Sequence, residues 1–160
     1  LTSFTTPPCS IYVAASVKNQ LAAAKLALEL IDVGFKVTSR WIRHDFEGRV
    51  DASAALLKQK LGEHLDPAEE ELVAAHDELM AEWGAKDLED LEKVDTMVLL
   101  STTPSSSGGY HVELGYAIAS GKNILVVGDR PNVFFYTATV KFVQKLDGVV
   151  GWMRKQCRQT

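Results

Sequence analysis

The chain has 160 residues, 46% of them hydrophobic and 24% charged, the composition of an ordinary globular protein with a full core. A formal net charge of −4 argues against a broad nucleic-acid footprint but leaves room for a small anion in a local pocket. No apolar run approaches the ~20 residues of a membrane span, so no membrane partner is expected.

The elements read in chain order. Ile11-Tyr12-Val13-Ala14-Ala15 is a short, continuously apolar run, which predicts a buried strand. The next segment places Leu21, Leu28 and Ile31 on one helical face and ends at Gly34, a good residue for closing a helix. Residues 35–42 read as a second strand, and 52–61 as a short helix within a mixed polar stretch. Asp66-Pro67-Ala68-Glu69 is a helix start, with an N-cap, proline at the first position and glutamate at the third. Leu72, Ala75, Leu79 and Trp83 mark its apolar face, Gly84 is expected to close it, and Asp87 to cap a further helix through Lys93. Residues 96–100 form a strand, 110–119 a helix closed by Gly121, and 123–127 another strand. A last helix is expected over about 137–146, with Val149-Val150 as a short strand.

Apolar strands alternating with helices predict an α/β fold: a Rossmann-like, doubly wound, mostly parallel sheet of about five strands. Ligands of such sheets bind at the carboxyl ends of the strands, so the loops after Ala15, Leu100 and Val127 should converge on a site. One domain over residues 1–160 is expected, with 1–9 flexible. Residues 1–8 carry no signal-peptide pattern, and the two cysteines, Cys9 and Cys157, make neither a disulfide framework nor a metal set. A reducing, cytoplasmic setting is the expectation.

The chemistry concentrates in Ser107-Gly108-Gly109-Tyr110-His111-Val112-Glu113. A loop of small residues at a helix N-terminus offers free N–H groups to an anion. Glu113 lies one turn inside, among apolar neighbours that would raise its pKa, and is either a poised nucleophile or a solvated helix carboxylate. Gly115 makes sense if another group approaches that helix closely. Asp87 is either an N-cap or the acid for a leaving group. Glycosidic cleavage commonly uses two such carboxylates.

The turn after the first strand, Ser16-Val17-Lys18-Asn19, has no glycine, and no GxxxxGK occurs, so dinucleotide and ATP-type phosphate loops are unlikely candidates. Ser16 and Lys18 could bind one phosphate; alternatively Ser16 or Asn19 only caps the helix. Trp41 reads as a core aromatic or a base-stacking one, and His44-Asp45, after the second strand, either makes a loop contact or reaches the site. No metal-ligand spacing and no GxSxG elbow is present, and neither metal nor cofactor is expected.

Three stretches occur in order: Ile11-Tyr12-Val13-Ala14-Ala15-Ser16, Asp87-Leu88-Glu89-Asp90-Leu91-Glu92-Lys93-Val94-Asp95, and Ser107-Gly108-Gly109-Tyr110-His111-Val112-Glu113-Leu114-Gly115-Tyr116-Ala117. Together with residues 121–134 this set resembles the nucleoside 2-deoxyribosyltransferase superfamily, which includes transferases and nucleoside 5′-monophosphate N-glycosidases. The resemblance spans about residues 10–135. It implies a Rossmann-like homodimer or higher homo-oligomer acting on a nucleoside or nucleotide. It implies Glu113 as the nucleophile, Asp87 as the residue meeting the base, and Tyr12 near sugar and nucleophile. The transferases usually carry aspartate six residues before the nucleophile; Ser107 here resembles the monophosphate hydrolases, since a hydroxyl accepts a phosphate that a carboxylate would repel. Ser16 and Lys18 match phosphate-contacting positions of those hydrolases, with lysine losing the fork of an arginine. Gly108 and Gly109 belong to the same cradle, and Arg130 and Asn132 are further candidates. Residues 44–84 are a family-variable helical insert that the resemblance does not reach. The leading expectation is a nucleotide N-glycosidase; the alternatives are a deoxyribosyltransferase and a nucleotide-binding module without turnover.

Overall fold

The computed structural model describes residues 9–43, 51–102 and 109–157. Five parallel strands form one sheet: β1 (Ser10–Ala15), β2 (Lys36–Val37), β3 (Thr96–Ser101), β4 (Asn123–Gly128) and β5 (Val140–Val143), in the order β2-β1-β3-β4-β5. The helices α1 (Gln20–Asp32), α2 (Ser53–Lys60), α3 (Pro67–Glu92), α4 (Gly109–Ala119) and α5 (Asp147–Gln156) complete the α/β architecture expected from the sequence. The chain turns outward from β1 to β2 and returns to β3, so the switch point lies between β1 and β3. There Ile11 pairs with Thr96 and Ala15 with Leu100. β3 is buried throughout and the centres of β1 and β4 are buried, as continuously apolar runs predict.

Several expectations need correction. In α1 the buried face is Ala23, Leu26, Ala27 and Leu30, while Leu21, Leu28 and Ile31 face outward. Both stripes fit a 3.6-residue period, and the small alanines let α1 pack close to the sheet. Gly34 does end this helix, at φ +100°, and the Phe35 N–H bonds back to the Leu30 carbonyl.

The second strand is only two residues long. Beyond it, side chains take over the bonding along β1: the Val13 N–H donates to Ser39 Oγ at 2.6 Å, and Trp41 Nε1 donates to the Val13 carbonyl at 2.7 Å. The chain there forms a 3₁₀ turn, Arg40–Arg43.

α3 begins with the expected capping box at Asp66 and Glu69 but runs unbroken through Gly84 to Glu92. Good helix formers surround that glycine, and Glu82–Lys86 and Glu89–Lys93 pairs brace the turn, offsetting its cost of about 1 kcal/mol. Asp87 is therefore interior to a helix and not a cap.

After β4, residues 137–146 form no helix. A 3₁₀ turn, Val133–Tyr136, leads to edge strand β5, and Val149 and Val150 belong to α5. Branched Val140 and Val143 suit pairing with Ile124 and Val127.

The two cysteines form a disulfide between the start of β1 and the end of α5, with Cα atoms 6.0 Å apart and 148 residues of separation. That corrects the expectation that the two cysteines make no disulfide framework, and the reducing setting drawn from it loses its basis. Closing so long a loop restricts the unfolded chain by up to about 5 kcal/mol in the entropy model. Among the described residues no helix is long and apolar enough to cross a membrane. The expectation for residues 1–8 lies outside the described residues.

Gly128 ends β4 at φ +101°, where a Cβ would stand 2.9 Å from the Ser101 carbonyl oxygen and from Thr102 Cγ2. Gly128→Ala is expected to destabilise by about 2 kcal/mol or more. Gly34→Ala, with open space around the same position, should lose less. Urea unfolding of both variants checks the order.

Candidate active site

A cavity of about 340 Å³ opens at the switch point. Ala15 and Val17 after β1 form one side. Trp83, Gly84, Asp87 and Leu88 of α3 form a second, and Gly109, Tyr110, Val112 and Glu113 of α4 a third, with Trp41 behind. A groove of about 590 Å³ is lined by α1, β2 and the Arg40 turn. Its one carboxylate, Asp90, is already paired with Arg40, so the smaller cavity holds the reactive groups.

Tyr12 is fully buried in β1, and its hydroxyl donates to Glu113 Oε1 at 2.5 Å. Burial and the nearby Glu113 and Asp87 charges push the Tyr12 phenol far up, so it stays a donor at any working pH. Glu113 is half-buried one turn into α4. Burial raises its pKa to about 7; the Tyr12 hydrogen bond opposes that rise, and the charge of Asp87 adds to it. Asp87 is raised to about 6, by burial and by Asp90, against the pull of Arg40. Its Oδ1 is enclosed and has no hydrogen-bond partner among the described residues. A buried carboxylate oxygen without a partner, on a side chain that lines the cavity, is suited to carrying a proton.

Trp41 is both core and wall: it is buried, bonded to the Val13 carbonyl, and lines the cavity. Ser16 is buried and its Oγ has no partner among the described residues. Neither it nor Asn19 makes a side-chain cap bond, so capping does not explain them. Asn19 bonds Thr102 instead. Lys18 is exposed beside α1, in a groove with Asn19, Lys25 and Leu146. Arg130 lies over the Tyr136 and Phe142 rings at 4.5 and 4.4 Å. Asn132 caps the following 3₁₀ turn and contacts His111 Nδ1 at 3.4 Å, while His111 packs edge-on to Phe135. The structure thus brings together Tyr12, Glu113, Asp87 and Gly109, with Ser16 between two lining residues. Lys18, Arg130 and Asn132 line no part of this cavity. The close approach expected at Gly115 is not found; a Cβ there meets open space. Ser107, Gly108 and His44-Asp45 lie outside the described residues.

No protein-family model matches the chain, and no curated protein sequence matches it. Among solved structures, the Clostridium botulinum CMP N-glycosidase BcmB is similar at 16% identity and a TM-score of 0.48, over 92% of this chain and 97% of that one. That is a likeness of chain path, and it says nothing of which residues react.

Sequence reasoning missed Trp83 as a cavity wall and Arg40 and Asp90 as its electrostatic neighbours. A signal was there: Trp83, Asp87, Asp90, Leu91 and Val94 follow helical spacing, so two acids sit in the apolar stripe of α3.

A carboxyl whose folded pKa lies above its ordinary 4.5 holds its proton more tightly in the folded state. Glu113 is therefore tolerated without cost below about pH 4.5, and costs stability as pH rises through about 7. Glu113→Gln, which can still accept from Tyr12, is expected to gain roughly 1–3 kcal/mol over wild type at pH 8 and nothing at pH 4. Thermal unfolding at the two pH values tests this.

Proposed function

We propose that this chain hydrolyses the N-glycosidic bond of a (2′-deoxy)nucleoside 5′-monophosphate, giving free base and sugar phosphate. The observation that carries the reading is the Tyr12–Glu113 hydrogen bond at the wall of a cavity that also holds a second raised carboxyl, Asp87. An oriented carboxylate beside a proton-bearing one is the equipment of glycosidic cleavage.

In the first step a Glu113 oxygen bonds to the anomeric carbon as the C–N bond breaks. The bond's electron pair leaves with the base, which takes the Asp87 proton. Tyr12 keeps the other lobe of charge on Glu113 oriented. In the second step water gives a proton to Asp87 and its oxygen to the anomeric carbon, and Glu113 departs as carboxylate. The two indoles, Trp41 and Trp83, offer flat apolar surface to a base. The unpartnered Ser16 hydroxyl and the N-terminus of α4 at Gly109 support a phosphate over a bare 5′-hydroxyl, with Ser107 and Gly108 as further members of that cradle; Lys18, in a separate groove, would have to reach in from outside the cavity. A homodimer belongs to the same proposal: Val133, Phe134 and Tyr136 stand exposed in one turn, an apolar surface that a second copy would cover.

Chromatography of a panel of nucleosides and their 5′-monophosphates, with and without a second free base, tests the reaction. Base release from monophosphates alone is expected. Exchange confined to free deoxynucleosides with an acceptor base would make the chain a transferase, and tight binding without release would make it a binding module. Glu113→Ala should lose about a thousandfold or more in kcat.

The pair must hold one proton between them, so kcat/KM is expected to follow a bell between the two carboxyl values, about 6 and about 7. Below it both carboxyls are protonated and above it neither is; within it the higher Glu113 value leaves the shared proton mostly on Glu113, so the reacting arrangement, with the proton on Asp87, is the minor one. Asp87→Asn should abolish the alkaline limb and leave a single acid limb set by Glu113, whose value falls below about 7 because the charge that raises it is gone. Tyr12→Phe should move the acid limb up and cost about 10–100-fold in rate. A pH profile of each variant reads these shifts.

A further inference from the structure

The residues from Thr38 to Ile42 bond to β1 on one side and to the last turns of α3 on the other. Arg40 makes most of the second set. Its backbone N–H donates to Asp90 Oδ2 at 2.9 Å, and its Nε donates to Asp90 Oδ1 and Oδ2 at 2.8 and 3.0 Å. A terminal nitrogen donates to Glu89 Oε2 at 2.7 Å and to the Lys86 carbonyl at 3.3 Å. Thr38 Oγ1 donates to the Asp90 carbonyl at 3.1 Å. These bonds span residues 86–90 and so bracket Asp87, whose own Oδ1 has no partner among the described residues. The neighbouring Trp41 fixes the same turn to the Val13 carbonyl, next to Tyr12.

We propose that Arg40 is a positioning residue, gripping the α3 turn that carries Asp87 and holding it at a set place relative to Tyr12 and Glu113. The proposal rests on the reading above, in which Asp87 protonates the leaving base. A carboxylate as buried as Asp90, 4% exposed, is costly without a partner, and an apolar residue would pack there at no such cost. The acid gives the arginine fork something to hold inside the helix stripe, which lysine, a point charge, could not grip in two directions. The charged and titratable groups around Asp87 are Asp90 on its own helix, Arg40 beside it, Glu113 of α4 and Tyr12 of β1.

The test uses the full chain with Arg40→Lys, Arg40→Gln, Asp87→Asn and the double variant Arg40→Gln with Asp87→Asn. Both Arg40 variants are expected to lose about tenfold or more in kcat for base release, with KM within about threefold of wild type. Arg40→Gln should also move the pH profile upward, since the cation that lowers Asp87 is gone; Arg40→Lys should leave it in place. In the Asp87→Asn background the further loss from Arg40→Gln should vanish. Equal losses in both backgrounds would overturn the proposal and leave Arg40 a stabilising pair only.

Carboxyl carbon NMR of Asp87 reads its placement without turnover, and Arg40→Lys serves if Arg40→Gln does not fold. An upward shift of the Asp87 titration in Arg40→Gln, or an altered Asp87 chemical shift in Arg40→Lys, supports the grip; titration and shift unchanged in every folded variant overturn it. Wild type that releases no base while the Asp87 signal responds would sink the hydrolase reading alone.

Discussion

The hydroxyl of Tyr12, buried in the sheet, has one strong partner among the described residues, the Glu113 carboxylate, and much of the site follows from that pairing. A phenol at the centre of a parallel sheet must donate to something. Here the acceptor comes from the helix after β3, across the switch point where β1 and β3 lie side by side. The bond ties the orientation of Glu113 to the buried centre of the sheet, and Glu113, one turn inside α4, is in position to receive it. A side chain on a surface loop would have no such reference frame.

The same burial that orients Glu113 also makes its charge expensive. The phenol offsets part of the cost, and Asp87 adds to it, so the two carboxyls titrate as a pair near neutrality and not as ordinary acids. Repulsion between them favours the state with one proton. A fold that wanted only stability would neutralise this corner with apolar side chains. Retaining two carboxyls in a cavity walled by indoles is a stability cost, and that cost is the physical ground of the proposed reaction.

Much of the frame was legible before any coordinates. The apolar runs at 11–15, 96–100 and 123–127 became the three central strands, because strands buried on both faces leave an unbroken apolar signal. Tyr12, Asp87 and Glu113 were named from motif order, and the fold does bring them together. What was illegible has physical causes. β2 is short because Ser39 and Trp41 satisfy β1 with side chains, and strand propensity carries no trace of such substitution. β5 was read as helix since an edge strand of four half-exposed residues has little pattern to read. α1 carries two plausible apolar stripes, and only packing against the sheet chooses the alanine-rich one.

The misread boundary in α3 bears most directly on function. An aspartate at an N-cap spends its side chain on the backbone N–H groups of the first turn. Asp87 lies instead twenty residues into a continuous helix, where every nearby N–H is already bonded along the helix axis. Its carboxylate is thus released from structural duty while its backbone is held more firmly than any cap would be. The long α3 also carries Trp83 one turn earlier on the same face, so one rigid rod sets the distance between a flat apolar wall and the acid. Gly84 lets the helix pass the cavity without a side chain of its own there. A broken helix would have made wall and acid independent; an unbroken one makes a ligand that meets Trp83 meet Asp87 as well.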